Sequence, residues 1–143
     1  MNIPNFQTNG ELPLGIHEAT LAEIEERFGH NSHRLALIQN LKRALSNLRQ
    51  AGVRRIYIDG SFVTNKAYPA DIDGCWDAHA DIDTDILDPV FLDFNSGRQA
   101  MRERYDVDFF ISQVIEGISG KPFIDFFQID RDGNPKGILA LTL

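Results

Sequence analysis

A short stretch of this sequence holds residue types at the spacing that phosphate chemistry needs. Gly60 and Ser61 close the run Arg55-Ile-Tyr-Ile-Asp-Gly-Ser61, and Asp71 and Asp73 follow in Pro69-Ala-Asp-Ile-Asp73. A glycine lets backbone approach a ligand with no Cβ in the way. The serine after it offers an N–H and a hydroxyl where a strand yields to a turn or a helix start. On a strand, Asp71 and Asp73 project from one face, because side chains alternate with a period of two, and their carboxylates then stand close enough to share a divalent cation. Magnesium takes such oxygens. Lys66 reads either as a mobile point charge for a β- or γ-phosphate or as a solvated turn lysine, and Thr64 is a weaker candidate of the same kind.

Strands must flank these groups if they are to meet. Val53 to Asp59 reads as the first, with Ile56 and Ile58 on one face and Tyr57 on the other, and Ala70 to Trp76 as the second. Between them Phe62 to Lys66 forms one helical turn, ended before Tyr68-Pro69 because the residue preceding a proline is pushed out of the α region. Asp106 to Ile111 is a third strand, reached through the polar and basic segment Arg98 to Tyr105. Asp106 and Asp108 share one face of it. Both qualify as a further carboxylate, and Asp108 is favoured because Val107 and Phe109 bracket it in mid-strand.

The rest of the chain supplies a helical layer and a closing element. Residues 1–19 read as an irregular arm containing Pro4, Gly10, Pro13 and Gly15. Thr20 with Glu23 has the spacing of a capping box ahead of a short helix carrying Leu21, Ile24 and Phe28 and stopping at Gly29. Asn31 or Ser32 caps a second helix, ended by Gly52, with Leu35, Ile38, Leu41, Leu45 and Leu48 inward and Arg34, Lys42, Arg43 and Arg49 toward water. Residues 77–88, with five aspartates, followed by Pro89 and the apolar Val90 to Phe94, read as a loop and a helical or irregular insertion. Phe123 to Ile129 and Gly137 to Leu143 flank Asp130-Arg-Asp-Gly-Asn-Pro-Lys136 as a C-terminal β-hairpin. The expected architecture is α/β (α+β), a single domain over residues 1–143 with a mixed sheet and its N-terminal helices on one face.

Bulk properties narrow the function classes. With 14 Lys and Arg against 21 Asp and Glu, the net charge of −7 argues against extended nucleic-acid binding, which needs cations to neutralise phosphates. A nucleotide delivered with magnesium remains compatible. One cysteine, Cys75, excludes an internal disulfide and a cysteine-rich zinc site, and its simplest role is core filling. No apolar run approaches the ~18 residues of a membrane helix, and Met-Asn-Ile-Pro-Asn-Phe lacks the features of a signal peptide. The expectation is a cytoplasmic protein that does not engage a membrane.

Nine residues separate Ser61 from Asp71. A strand, Gly-Ser, nine residues and Asp-x-Asp resembles the signature of the DNA polymerase β-type nucleotidyltransferase superfamily. Leu12-Pro-Leu-Gly-Ile-His17, Thr20-Leu-Ala-Glu23, Arg27-Phe-Gly29, Asp59-Gly-Ser-Phe-Val-Thr-Asn-Lys66 and Lys136-Gly-Ile138 are further similar to a widespread bacterial and phage family of nucleotidyltransferase-like proteins. The resemblance implies a nucleotidyltransferase fold. It implies that Gly60 and Ser61 hold the phosphates of a nucleoside triphosphate, and that Asp71, Asp73 and a third carboxylate, best matched by Asp108, bind Mg²⁺ and carry catalysis. The implied acceptor is a hydroxyl on a protein or an RNA end. Degenerate relatives imply the alternative, an inactive nucleotide-binding or protein-interaction module, such as an antitoxin-like protein with a partner toxin or a protein that binds a host factor.

Other acidic and imidazole groups have plainer readings. A second Asp-x-Asp, Asp81 and Asp83, stands with nineteen residues intervening after Ser61 and reads as an acidic surface loop. Asp81, Asp83 and Asp85 mimic the opening of an EF-hand, but the glycine and glutamate such a loop requires are Ile86 and Leu92 here. His17, His30, His33 and His79 are scattered and read as structural or surface residues.

Overall fold

The computed structural model describes residues 3–143, so Met1 and Asn2 of the N-terminal arm lie outside the described residues. Local capping chemistry starts both N-terminal helices. The Thr20 hydroxyl accepts from the Glu23 N–H at 3.1 Å while the Glu23 carboxylate accepts from the Thr20 N–H at 3.1 Å. Helix α1 (Leu21–Phe28) follows and ends at Gly29. Asn31 Oδ1 accepts from the Arg34 N–H at 2.8 Å and opens α2 (Ser32–Gln50).

The buried stripe of α2 differs from the expected one: Leu37 and Ala44 join it, and two expected placements fail. Leu35 is 38% exposed. Arg34, expected in water, is fully buried. Its guanidinium donates to the carbonyls of Phe28 at 3.2 Å, Phe62 at 2.8 Å, Thr64 at 2.9 Å and Lys66 at 3.0 Å. It also lies over the Phe62 ring, 5.1 Å from the centroid. A buried cation is tolerable only when its donors are used. Here they tie α2 to the backbone that follows Gly60.

The sheet contains β1 (Ile16–Glu18), β2 (Arg55–Asp59), β3 (Ile72–Trp76), β4 (Val107–Ile111) and β5 (Ile138–Thr142), in the spatial order β1-β5-β2-β3-β4. Strand β2 is antiparallel to β3 and β5, whereas β4 runs parallel to β3 and β1 parallel to β5. The fold is therefore a mixed α+β arrangement around a five-stranded mixed sheet. Residues 16–18 of the supposed irregular arm form its edge strand.

Alternation along the strands separates two faces. Ile56, Ile58, Ile72, Trp76, Val107, Phe109, Leu139 and Leu141 join the main core with Ile24 and Phe28 of α1 and the apolar stripe of α2. Helix α3 (Gln99–Tyr105), in the segment expected only to be a connection, adds Met101 and Tyr105. On the opposite face Tyr57, Cys75, Ile138 and Ala140 make a smaller cluster under Phe110, Ile124 and Phe127.

The expected C-terminal β-hairpin is reduced to a single antiparallel bridge, Ile129 with Pro135, and its two flanks do not pair as strands. Phe123, Phe126 and Phe127 fall at helical spacing after Pro122, and helix α4 (Phe123–Phe126) takes the place of its first strand. The Asp130 carboxylate accepts from the N–H groups of Asp132 and Asn134 and closes the loop. Strand β5, freed from that pairing, inserts between β1 and β2.

Candidate active site

Strand register assembles the acidic residues. Asp59 on β2 stands opposite Asp73 on β3, and Asp73 stands opposite Asp108 on β4. These three form one row across the sheet, on the face away from α2. Asp71, two residues before Asp73, joins them. One oxygen each from Asp71, Asp73 and Asp108 lies within 4.8 Å of the others. Asp106 does not join the cluster. It caps α3 in a left-handed conformation, φ 53°, which breaks the alternation, and its carboxylate accepts from Asn40 Nδ2 at 2.7 Å. Of the two aspartates it is Asp108 whose carboxylate joins Asp71 and Asp73.

Gly60 makes the close approach feasible. Its φ is +74°, and a Cβ there would collide with Asp73 Oδ2. The helical turn after it is a 3-10 turn at Gly60–Val63, earlier than expected. Thr64 is engaged in closing that turn, its hydroxyl donating to the Ser61 carbonyl at 2.7 Å and accepting from the Lys66 N–H at 3.2 Å.

The cluster carries more negative charge than the protein compensates. Burial, then repulsion from Asp71 and Asp108, pushes the Asp73 carboxyl up to about 7. Burial and the Asp108 charge raise Asp71. Asp59 is fully buried, neither of its oxygens has a hydrogen-bond partner, and burial followed by repulsion from Asp73 lifts it well above the usual carboxylate range. Of the four aspartates Asp59, Asp71, Asp73 and Asp108, only Asp108 has an ion-pair partner among the described residues. Arg98 Nε and Nη2 donate to its two oxygens at 2.5 and 3.1 Å. Hard oxygen donors, crowded and short of cations, fit a magnesium ion.

A cleft of about 740 Å³ opens beside the row. Asp59, Gly60, Ser61 and Asp73 line it together with Asp130, the cations Lys66, Lys121, Arg131 and Lys136, and Phe126 and Phe127. None of these four cations forms an ion pair among the described residues. In a chain of net charge −7, four cations and three carboxylates, Asp59, Asp73 and Asp130, share this one cleft. A larger cleft of about 990 Å³ lies elsewhere, against α2 and β5, and holds none of these carboxylates.

The structure thus brings Gly60, Ser61, Lys66, Asp71, Asp73 and Asp108 into one neighbourhood. It adds Asp59, Lys121, Arg131, Lys136 and the two phenylalanines, which the motif did not single out. Asp59 had a signal in the sequence, a carboxylate ending an apolar strand directly before Gly-Ser. Lys136 stands in the stretch Lys136-Gly-Ile138 that carries part of the resemblance, whereas Lys121 and Arg131 had no signal beyond their charge. Asp81 and Asp83 stay outside, Asp81 pairing with Arg54 at 3.5 Å and Asp83 accepting from the Asp85 N–H at 2.9 Å. His17, His33 and His79 each contact a backbone carbonyl, of Pro13, Pro69 and Gly52, at 2.7, 2.5 and 2.8 Å. Cys75 is buried, and burial raises its thiol pKa, away from reactivity.

A protein-family model matches residues 4–142 and is described as a family of unknown function, DUF6932. The chain belongs to the DUF6932 family. No curated protein matches it, and no solved structure does. No helix among the described residues is long and apolar enough to cross a membrane.

Proposed function

We propose that this DUF6932 protein has a nucleotidyltransferase fold and is a magnesium-dependent nucleotidyltransferase of the cytoplasm. It moves a nucleoside monophosphate from a nucleoside triphosphate to a hydroxyl on a protein or an RNA end. The observation that carries the reading is the convergence of Asp71, Asp73 and Asp108, of which Asp73 also lines a cleft shared with Lys66, Lys121, Arg131 and Lys136.

Asp71, Asp73 and Asp108 would hold the metal. Bound Mg²⁺ supplies charge neutralisation and alignment for in-line displacement at a phosphate. The protein's own groups do the rest. Ser61 offers its N–H and hydroxyl to phosphate oxygens, and Gly60 keeps that backbone against Asp73. Lys66, Lys121, Arg131 and Lys136 neutralise the polyphosphate, while Phe126 and Phe127 give a nucleobase an apolar surface. Arg34 anchors the carbonyls of Phe62, Thr64 and Lys66 and so fixes the turn that presents these groups.

Calorimetric titration of the four nucleoside triphosphates with magnesium, beside an Asp71→Ala, Asp73→Ala variant, tests the reading. Magnesium-dependent binding lost in the variant supports it, and the acceptor is then sought by transfer of labelled nucleotide. Absence of binding for every triphosphate refutes it. One observation favours a second reading, a non-catalytic interaction module: Asp108 is already neutralised by Arg98. Under that reading the acidic residues 77–88 meet a basic partner such as a toxin, and affinity capture with this protein as bait recovers it.

A further inference from the structure

Arg98 reaches the carboxylate row from an unusual backbone. Ser96, Gly97 and Arg98 stand in succession at φ of 51°, 65° and 61°, a left-handed run that only glycine adopts readily. Strained residues persist where their surroundings hold them. Backbone hydrogen bonds from the Arg98 N–H to the Asn95 carbonyl and from the Arg102 N–H to the Arg98 carbonyl hold this run, together with the two-pronged ion pair to Asp108 and the Phe110 ring, whose centroid lies 4.7 Å from the guanidinium carbon. The pair is well shielded, with the Asp108 side chain only 13% exposed.

A divalent ion bound by Asp71, Asp73 and Asp108 and a guanidinium on the same Asp108 oxygens repel each other at close range. A bare cation must therefore displace Arg98 and leave it without an anion. A cation that arrives with polyphosphate brings oxygens that accept bidentate guanidinium bonds in exchange. We infer that Arg98 is a specificity-determining residue: it holds the site against a bare divalent cation and admits the cation together with polyphosphate. The inference rests on the reading of Asp71, Asp73 and Asp108 as a metal site.

The test is binding of Mn²⁺, followed by the electron paramagnetic resonance signal of the free ion, to the wild-type protein, Arg98→Asn and Arg98→Lys. Asparagine tolerates the left-handed backbone at this position, so the first variant removes the guanidinium without adding strain. Lysine keeps the charge but loses the fork. Arg98→Asn should bind Mn²⁺ alone about tenfold more tightly than wild type, with Arg98→Lys between them. That gain should vanish or reverse when a non-hydrolysable nucleoside triphosphate accompanies the metal. Affinities for Mn²⁺ alone within about twofold of one another, or no Mn²⁺ binding by any of the proteins, would overturn the inference. A gain that persists undiminished with the triphosphate would overturn its second half. Should the triphosphate bind none of the proteins while the gain for bare Mn²⁺ holds, the nucleotide reading fails and the exclusion of bare metal stands.

Discussion

Raising the pH without metal should destabilise this protein across a range where most proteins are insensitive. Asp59, Asp71 and Asp73 all have folded-state pKa values above the ordinary 3.8. A carboxyl whose pKa is higher folded than unfolded adds stability below the unfolded value, and that contribution is lost as pH rises through the folded value. For Asp73 the window runs from 3.8 to about 7. At ~1.36 kcal/mol per pH unit this interval corresponds to about 4 kcal/mol. Because Asp71 and Asp73 titrate as a pair, the expected loss between about pH 5 and pH 8 is about 2–4 kcal/mol. Carboxylates with lowered values, such as Asp88 held by Tyr105 and Arg104, act in the opposite sense but in more acidic solution. Urea unfolding at intervals of pH, with chelator present, reads the effect directly, as a midpoint falling by about 1–2 M. An Asp59→Asn, Asp73→Asn variant should flatten the profile, and millimolar Mg²⁺ should restore stability at the alkaline end by binding the folded state. A profile flat or rising from pH 5 to pH 8 would refute the charge accounting for the cluster.

Three substitutions test the elements that position the site. Arg34→Met should cost about 3 kcal/mol or more in thermal or urea unfolding, since it orphans buried carbonyls, and should expose residues 60–66 to protease. Gly60→Ala should lose about 1–2 kcal/mol to the left-handed backbone and, by driving against Asp73, should abolish Mn²⁺ binding measured by spin resonance. Lys136→Ala should weaken calorimetric triphosphate binding about fivefold to tenfold and, because the Lys136 charge opposes the rise of the Asp59 and Asp73 pKa values, should deepen the loss of stability toward alkaline pH in urea unfolding.

The strands around the motif were readable because their chemistry is local. Alternation placed Ile56 and Ile58 opposite Tyr57, and the Thr20 capping box and Gly29 bounded α1 closely. Asp73 follows from the same period of two, whereas Asp71 lies one residue ahead of β3, which begins at Ile72 and not at the expected Ala70, and it joins the cluster from outside the strand. What failed depended on tertiary context. Arg34 falls on the apolar stripe of α2, four residues before Ile38 and seven before Leu41, and that position was the available sign of burial; only the carbonyls of a distant turn make it tolerable. Parity could not separate Asp106 from Asp108, because a left-handed cap at Asp106 cancels the alternation. The C-terminal hairpin was misread because Phe123 to Ile129 is rich in strand-favouring aromatics, whereas their spacing suits a helix packed over Phe110. Lys121 and Arg131 lie in loops whose return to the cleft no local signal announces.

The central claim is that Asp71, Asp73 and Asp108 are metal ligands beside a polyphosphate cleft. Crystals grown with Mn²⁺ and a non-hydrolysable nucleoside triphosphate test it by anomalous scattering. The account predicts a manganese peak bounded by the three carboxylates, with phosphate density running from Ser61 toward Lys66 and Lys136 and Arg98 moved off Asp108. Triphosphate bound elsewhere, or no metal between the aspartates under saturating Mn²⁺ with Arg98 still paired to Asp108, would contradict it.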